Sequence, residues 1–298
     1  STSCSPPLTQ AGSIINHSRT LALALYCQQM SRNGQTTRSR PRVDSSLPPA
    51  LDYNCPRAII ASARKFDAAL ETPPHFHPRA QLIYAESGTL TTTAAEGTWV
   101  APPNRAIWIP AGESHVTRCT VNTEIRSIYI RKDALPGLPR HCAVVQINPL
   151  LRELILAVVR LPALYDEDGA DGRLVRVLLD RIAALPHEPL HLPIPKSSRL
   201  RAIATDLAER PGLSLAHGAR SAAMSPRSFA RHFLIETGFT FGAWQRQARL
   251  LRALELLGTG KNVGDVAFSL GYESTSAFIA MFRHSFGTTP ARYFEDSE

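Results

Sequence analysis

The 298-residue sequence contains no apolar run approaching the roughly eighteen residues that a membrane-spanning helix requires. It has five cysteines, Cys4, Cys27, Cys55, Cys119 and Cys142, and no Cys-x-x-Cys pair. Scattered thiols of odd number exclude a disulfide framework and a cysteine-ligated zinc finger, and imply a reducing compartment. The short apolar stretch 21–27 lacks the flanks of a signal peptide, so a cytoplasmic location is expected. Net charge is absent from the middle: residues 51–195 hold fifteen basic and fifteen acidic side chains. The overall charge of +8 comes from the two ends. Residues 1–50 carry five arginines against one aspartate, and residues 196–298 carry thirteen basic against nine acidic side chains. A basic C-terminal segment beside a neutral one fits a polyanion-binding part joined to a part with another task.

What is present changes character along the chain. Residues 1–50 are rich in Ser, Thr, Arg and Pro and read as a disordered tail. Residues 51–145 read as short strands punctuated by Pro and Gly, at Gln81–Ala85, Thr89–Thr93, Thr98–Val100, Ile107–Ile109 and Glu124–Ile130. Such spacing predicts a sandwich or small barrel. Residues 146–195 form a helical segment and a linker. Leu150, Leu151, Leu154, Ile155 and Val158 share one helical face, as do Leu174, Val175, Leu178, Leu179 and Ile182. Pro186 to Pro195 is the Pro-rich linker. Residues 196–298 are helical throughout, with a first helix over Ser198–Glu209 and a long one over Phe241–Leu257 that stops at Gly258 and Gly260.

Within that last segment one layout occurs twice. A short apolar helix, a tight turn, a Ser N-cap and a helix with Phe at i and i+4 appear around Ser225, Phe229 and Phe233, and again around Ser274, Phe278 and Phe282. Two helix-turn-helix units suit two successive major grooves of DNA. In the first recognition helix Ser225 caps, Pro226 takes the first helical position, and Arg227, Ala230 and Arg231 share the face opposite the two Phe. Arginine reads guanine through a bidentate bond. In the second, Ser274 caps and the outward set is Thr275, Ser276, Ile279 and Ala280, followed by Arg283. That set can meet phosphate and touch a thymine methyl but cannot make a bidentate base contact, so the two half-sites should differ in information. The first unit has Ala223 at the turn position where the second has Gly271.

These hundred residues, about a third of the chain, resemble the AraC/XylS family of transcription regulators. The matching pieces are Met224-Ser-Pro-Arg, Glu236-Thr-Gly238, Arg249 to Leu257, Leu270-Gly-Tyr-Glu-Ser, Ser276-Ala-Phe and Phe286-Gly-Thr-Thr-Pro290-Ala-Arg-Tyr293. The resemblance implies promoter DNA as a partner, with RNA polymerase and a second copy of the chain as further candidates.

The middle segment resembles a cupin, through His75-Phe-His77, Gln81, Gly88 and Pro110-Ala-Gly-Glu-Ser-His115. Cupin metal sites take two His one residue apart, a carboxylate four residues on, and a third His. Strand alternation would put His75 and His77 on one face. Here Gln81 stands where the carboxylate is usual, and a neutral amide is a poorer ligand for a divalent cation. The resemblance implies a small-molecule effector at His75, His77, Gln81 and His115. His75, His77 and His115 are the candidate metal ligands, and a pocket-lining cluster without metal is the alternative. No cofactor is required by this reading. Trp99, Trp108, Tyr84 and Phe76 read either as pocket lining or as core.

The expected fold class is α+β: a cupin-like β-barrel with two following helices, then an all-α domain with two helix-turn-helix units. The expected function is a DNA-binding transcriptional regulator, not an enzyme, modulated by a small molecule. A cupin metalloenzyme with an incidental helical tail is the alternative class. The glutamine at 81 and the lack of a further acid–base cluster argue against it.

Overall fold

Six consecutive residues, Ala80 to Ala85, are buried without alternation. A strand buried on both faces must be covered by a second layer on each side. A computed structural model describes residues 51–134, 139–209 and 213–295, and it supplies both layers. The strands are β1 (Ile59–Phe66), β2 (Leu70–Glu71), β3 (Ala80–Ser87), β4 (Leu90–Ala94), β5 (Gly97–Ala101), β6 (Arg105–Ile109), β7 (His115–Cys119), β8 (Thr123–Ile130), β9 (Ala143–Gln146), β10 (His187–Glu188) and β11 (His191–Pro193). They form two antiparallel sheets, in the orders β1-β8-β3-β6-β9-β10 and β11-β5-β4-β7-β2.

Period-two alternation sorts the side chains of the first sheet. Ile83, Ile107, Ile109 and Ile125 point inward and share a core with Leu90, Trp99 and Cys119 of the second sheet. Leu82, Tyr84, Trp108, Ile128 and Val145 point outward. They meet helices α1 (Pro149–Val158) and α2 (Ala170–Ala183) through Leu151, Leu154, Ile155, Val158, Val175, Leu178, Leu179 and Ile182. The apolar faces read from periodicity thus do the covering, except that Leu150 stays 53% exposed. Asn148 caps α1 by accepting from the Leu151 N–H at 2.9 Å.

The expected barrel is therefore seen as two facing sheets, and among the described residues strand pairing stays within each sheet. The linker expected at 186–195 is partly built into them. β10 pairs with β9, and β11 pairs with β5 through His191↔Trp99 and Pro193↔Gly97. Its prolines are tolerated because both strands are short and lie at sheet edges. Strands β1, β7 and β9 are also additions to the sequence expectation. Residues 1–50, read as a tail, lie outside the described residues, as do Cys4 and Cys27. Cys55, Cys119 and Cys142 are buried free thiols.

The C-terminal helices are α3 (Ser198–Glu209), α4 (Leu215–Ser221), α5 (Pro226–Thr237), α6 (Phe241–Gly258), α7 (Val263–Ser269), α8 (Thr275–Phe286) and α9 (Pro290–Glu295). Helix α6 links the two helix-turn-helix units, and Trp244, Leu251 and Leu254 bury its inner side. It also meets the second sheet. Trp244 Nε1 donates to Pro193 O at 2.8 Å, and Gln247 Nε2 donates to Pro189 O at 2.6 Å. Thr91 Oγ1 on β4 donates to Glu255 Oε1 at 2.7 Å. The inter-sheet core and the helical core form one continuous apolar cluster.

Candidate functional site

The second helix of each helix-turn-helix unit is built as the two repeats predict. Ser225 accepts from the Ser228 N–H at 3.2 Å, and Ser274 accepts from the Ala277 N–H at 3.2 Å, so each recognition helix starts on a Ser cap. Each ends on a left-handed glycine, Gly238 and Gly287. Phe229, Phe233, Phe278 and Phe282 are fully buried. Burial of those Phe pairs turns the opposite faces of α5 and α8 to solvent. Ser225, Arg227 and Arg231 are exposed on the first unit, with Ala230 half-buried. On the second, Ser274, Ser276, Ala280 and Arg283 are exposed. Thr275 and Ile279 are half-buried, and Ile279 also packs against the apolar cluster.

The turns between the helices match bond for bond. Ala223 N and Met224 N donate to Arg220 O and Ala219 O, and Gly271 N and Tyr272 N donate to Phe268 O and Ala267 O. This is a Schellman closure in both units, with its left-handed position at Ala223 (φ 48°) and Gly271 (φ 80°). The first unit therefore holds a Cβ where the conformation favours glycine.

The second site lies between the two sheets. His75 and His77 are not on a strand: residues 72–79 are irregular, and His75 is fixed by a two-bond bridge to His115, the first residue of β7. The prolines at 73, 74 and 78 prevent the expected strand by removing amide donors. The three imidazoles nevertheless converge, with ring centroids 4.3 Å (His75–His115), 5.1 Å (His77–His115) and 6.1 Å (His75–His77) apart. One ring nitrogen from each lies within 4.8 Å of the others.

Each imidazole is tethered in the same way. His75 Nδ1 lies 3.0 Å from Pro73 O, His77 Nδ1 lies 2.7 Å from Arg79 O, and His115 Nδ1 lies 2.9 Å from Glu113 O. A carbonyl only accepts, so each Nδ1 must carry the proton and each Nε2 is left with its lone pair. His115 Nε2 is buried and has no hydrogen-bond partner among the described residues. Burial, then the neighbouring imidazoles, pushes the His115 pKa down to about 3. Burial also holds His77 below the ordinary imidazole range.

Gln81, on β3, joins His77 as expected. Its Oε1 is 2.9 Å from His77 Nε2, while its Nε2 donates to Ser127 Oγ at 3.1 Å and to Tyr129 Oη at 3.2 Å. With Nδ1 protonated, His77 Nε2 and Gln81 Oε1 are two acceptors face to face. A cation between them satisfies both; so does an amide turned end for end, which would accept from the two hydroxyls instead. Tyr53 stacks on His77 with centroids 6.0 Å apart, and Tyr129 meets it edge-on at 5.1 Å. Arg79 holds the Tyr53 segment down by donating to Tyr53 O, Cys55 O and Arg57 O. Sequence reasoning missed Tyr53, Arg79, Ser127 and Tyr129. Only the alternation of β8 could have pointed to Ser127 and Tyr129, once its register with Gln81 was known. Of the aromatics, Trp99, Trp108 and Tyr84 are core, and Phe76 is 58% exposed.

A pair of helix-turn-helix units joined by one long helix, packed against a two-sheet domain that holds a largely buried histidine cluster, is the arrangement of a DNA-binding regulator with a ligand-binding domain. Residues 218–296 match a helix-turn-helix domain model, and residues 65–183 match the AraC-like ligand binding domain. The HTH-type transcriptional regulator NimR of Escherichia coli K12 is 38% identical over 226 residues, covering 75% of this chain and 82% of that protein. The regulator RipA of Corynebacterium glutamicum is 29% identical over 133 residues, 44% of this chain and 38% of that protein. Among solved structures, ToxT from Vibrio cholerae aligns over 80% of this chain and 97% of its own, at 10% identity and a TM-score of 0.33. The chain belongs to the AraC family of transcriptional regulators.

Proposed function

We propose that this regulator senses a small molecule between its sheets and holds a divalent metal there. The effector would lie against His75, His77, Gln81 and His115. The observation that carries the reading is the shared Nδ1 tether. Backbone carbonyls that hold each Nδ1–H and so turn three Nε2 atoms toward one point orient the rings as metal ligands are oriented. The buried, partnerless Nε2 of His115 fits the same group. Three imidazoles would hold a borderline metal, with the Gln81 oxygen as a fourth donor. When bound, such an ion supplies a Lewis-acidic point that fixes one donor atom of a ligand. The chain's own residues then do the sensing: Tyr53 and Tyr129 wall the site, and Ser127 orients Gln81.

DNA recognition falls to Ser225, Arg227, Ala230 and Arg231 in the first unit and to Ser274, Thr275, Ser276, Ile279, Ala280 and Arg283 in the second. Exposed Leu150 and Val177 on α1 and α2 leave an apolar surface for a second copy of the chain. RNA polymerase is the partner a promoter-bound regulator would meet, and such a role places the protein in the cytoplasm.

Elemental analysis of the untagged full chain tests the metal. About one equivalent is expected, lost on His77→Ala. A clean, folded wild type with no metal at equilibrium with micromolar zinc, nickel, manganese and iron would overturn the metal part and leave the DNA reading standing.

A further inference from the structure

We infer that the effector is an anion, a small carboxylate-bearing molecule, and that Arg64 on β1 selects it. This rests on the reading that the inter-sheet site is the effector site. The face that holds the site can be followed through the strand registers. Gln81 pairs with Tyr129, which pairs with Ile60; Ile83 pairs with Ser127, which pairs with Ser62; Ile125 pairs with Arg64. Directly paired residues lie on one side of a sheet. The side chains of Gln81, Ser127 and Tyr129 are hydrogen-bonded on that side. Arg64 therefore shares the inner face, two rows along from the imidazoles, or roughly 14 Å along the strands before its own long side chain reaches back.

Charge on this face has one sign. Arg64 is half-buried, and it makes no ion pair or hydrogen bond with a carboxylate among the described residues. Its neighbour on the opposite face, Lys65, is the one that pairs with Glu124, at 3.6 Å. Arg64 lies within electrostatic reach of the Tyr129 phenol, at the wall of the site. Burial lowers the guanidinium pKa, but arginine remains charged at any ordinary pH. A half-buried cation with no counter-ion is costly unless an anion joins it. None of the other polar groups there is a carboxylate: they are three imidazoles, an amide, and the hydroxyls of Ser127 and Tyr129. The position where a carboxylate would balance a bound cation is Gln81. With or without a metal, this face is short of negative charge, and a planar carboxylate matches the fork of a guanidinium. Edge position of β1 in its sheet leaves Arg64 open to an entering ligand.

The test compares isosteric pairs on the full chain: benzoate against benzamide, and hexanoate against hexanamide. Each is titrated with metal-stripped and cobalt-loaded protein, reading intrinsic fluorescence in both and the visible cobalt spectrum in the second. Carboxylates are expected to bind at least tenfold tighter than their amides. Arg64→Gln is expected to abolish that preference while leaving the cobalt content unchanged and without lowering the melting temperature of the ligand-free protein. Equal binding of acid and amide by wild type would overturn the inference, and so would an undiminished preference in Arg64→Gln. The wild-type comparison stands even if the variant folds poorly. Cobalt stoichiometry scores the metal reading separately. Protein that takes no cobalt but prefers carboxylates through Arg64 overturns the metal and keeps the anion. Binding by neither form, to either member of a pair, overturns the anion inference whatever the metal content.

Discussion

Thr91 and Glu255 join the ligand-binding domain to the helix that carries both recognition units: the buried Thr91 hydroxyl donates to the Glu255 carboxylate at 2.7 Å. The bond is placed to feel the site. Thr91 pairs with Arg118 on β7, three residues from His115, and its neighbour Thr92 faces inward to Thr117 at 3.3 Å. Glu255 is held on its other side by Arg252 at 2.8 Å. Hydrogen bonds to charged groups contribute about 1.5–3 kcal/mol net. Thr91→Val keeps the shape and is expected to lower stability by about that amount, measured by urea denaturation. DNA affinity with and without the effector should also change in ratio, because the coupling between two sites is reciprocal and is carried by whatever joins them. An unchanged ratio would show that the domains communicate through other contacts.

The left-handed turn at Ala223 gives a second expectation. A Cβ in that conformation costs about 1–2 kcal/mol, and glycine gives back part of the gain through its freer unfolded chain. Ala223→Gly is expected to stabilise the protein by up to about 1 kcal/mol. The control is Gly271→Ala at the matching position (φ 80°), which should destabilise it. Paired denaturation midpoints moving in the same direction for both variants would contradict this account.

Both turns were legible in the sequence because caps and Phe pairs are local signals. Ser225 and Ser274, the buried Phe at 229, 233, 278 and 282, and the covering faces of α1 and α2 all follow from spacing alone. The histidine cluster was legible as residues but not as geometry, since its convergence depends on a bridge between His75 and His115, forty residues apart. Arg64, Ser127 and Tyr129 stayed hidden because sheet register is a non-local property. Strands β10 and β11 were read as linker for a sound reason, the prolines, which edge positions then accommodate.

Unequal reading by the two recognition helices is the third expectation. Arg227→Ala or Arg231→Ala should each cost about 1–3 kcal/mol of DNA affinity and relax one base position, if bidentate to guanine. Ile279→Ala should relax a thymine position only weakly. Because Ile279 also packs on the core, it should lose some stability as well, which the exposed arginines should not. Selection of bound sequences for each variant, beside a thermal melt, separates the two effects. Equal sequence information in the two half-sites would refute the asymmetry.

Cys142 predicts a pH dependence with a definite sign. Burial, then the nearby carboxylates of Glu113 and Glu96, pushes its thiol up to about 12 from an ordinary value of 9. The folded state therefore keeps a proton that the unfolded chain releases above about pH 9. Its contribution is fully present below that pH and is lost as pH rises toward 12. Relative to Cys142→Ala, wild type should lose stability from about pH 9 upward and show no relative change between pH 6 and 8. Native alkylation of Cys142 at pH 8.5 should be slow, because burial keeps the thiol protonated there. Rapid labelling without unfolding would mean that the site opens.

Gly258, the last residue of α6, sits so close to β4 that a Cβ there would lie 1.9 Å from Thr89 Oγ1 and 2.9 Å from Thr89 Cβ. Thr89 Oγ1 is itself buried without a hydrogen-bond partner. A partnerless buried hydroxyl contributes nothing to offset its desolvation, so Thr89→Ala alone should be close to neutral. Gly258→Ala alone should cost about 1–3 kcal/mol, because the added methyl would overlap the packed Thr89 side chain. In the Thr89→Ala background the nearer obstructing atom, Oγ1, is gone while the Cβ at 2.9 Å stays, so part of that cost should vanish. The double-mutant cycle thus predicts a coupling of at least about 1 kcal/mol between a residue of the ligand-binding domain and one of the DNA-binding domain. Additive effects would place α6 farther from Thr89 in solution than this contact requires.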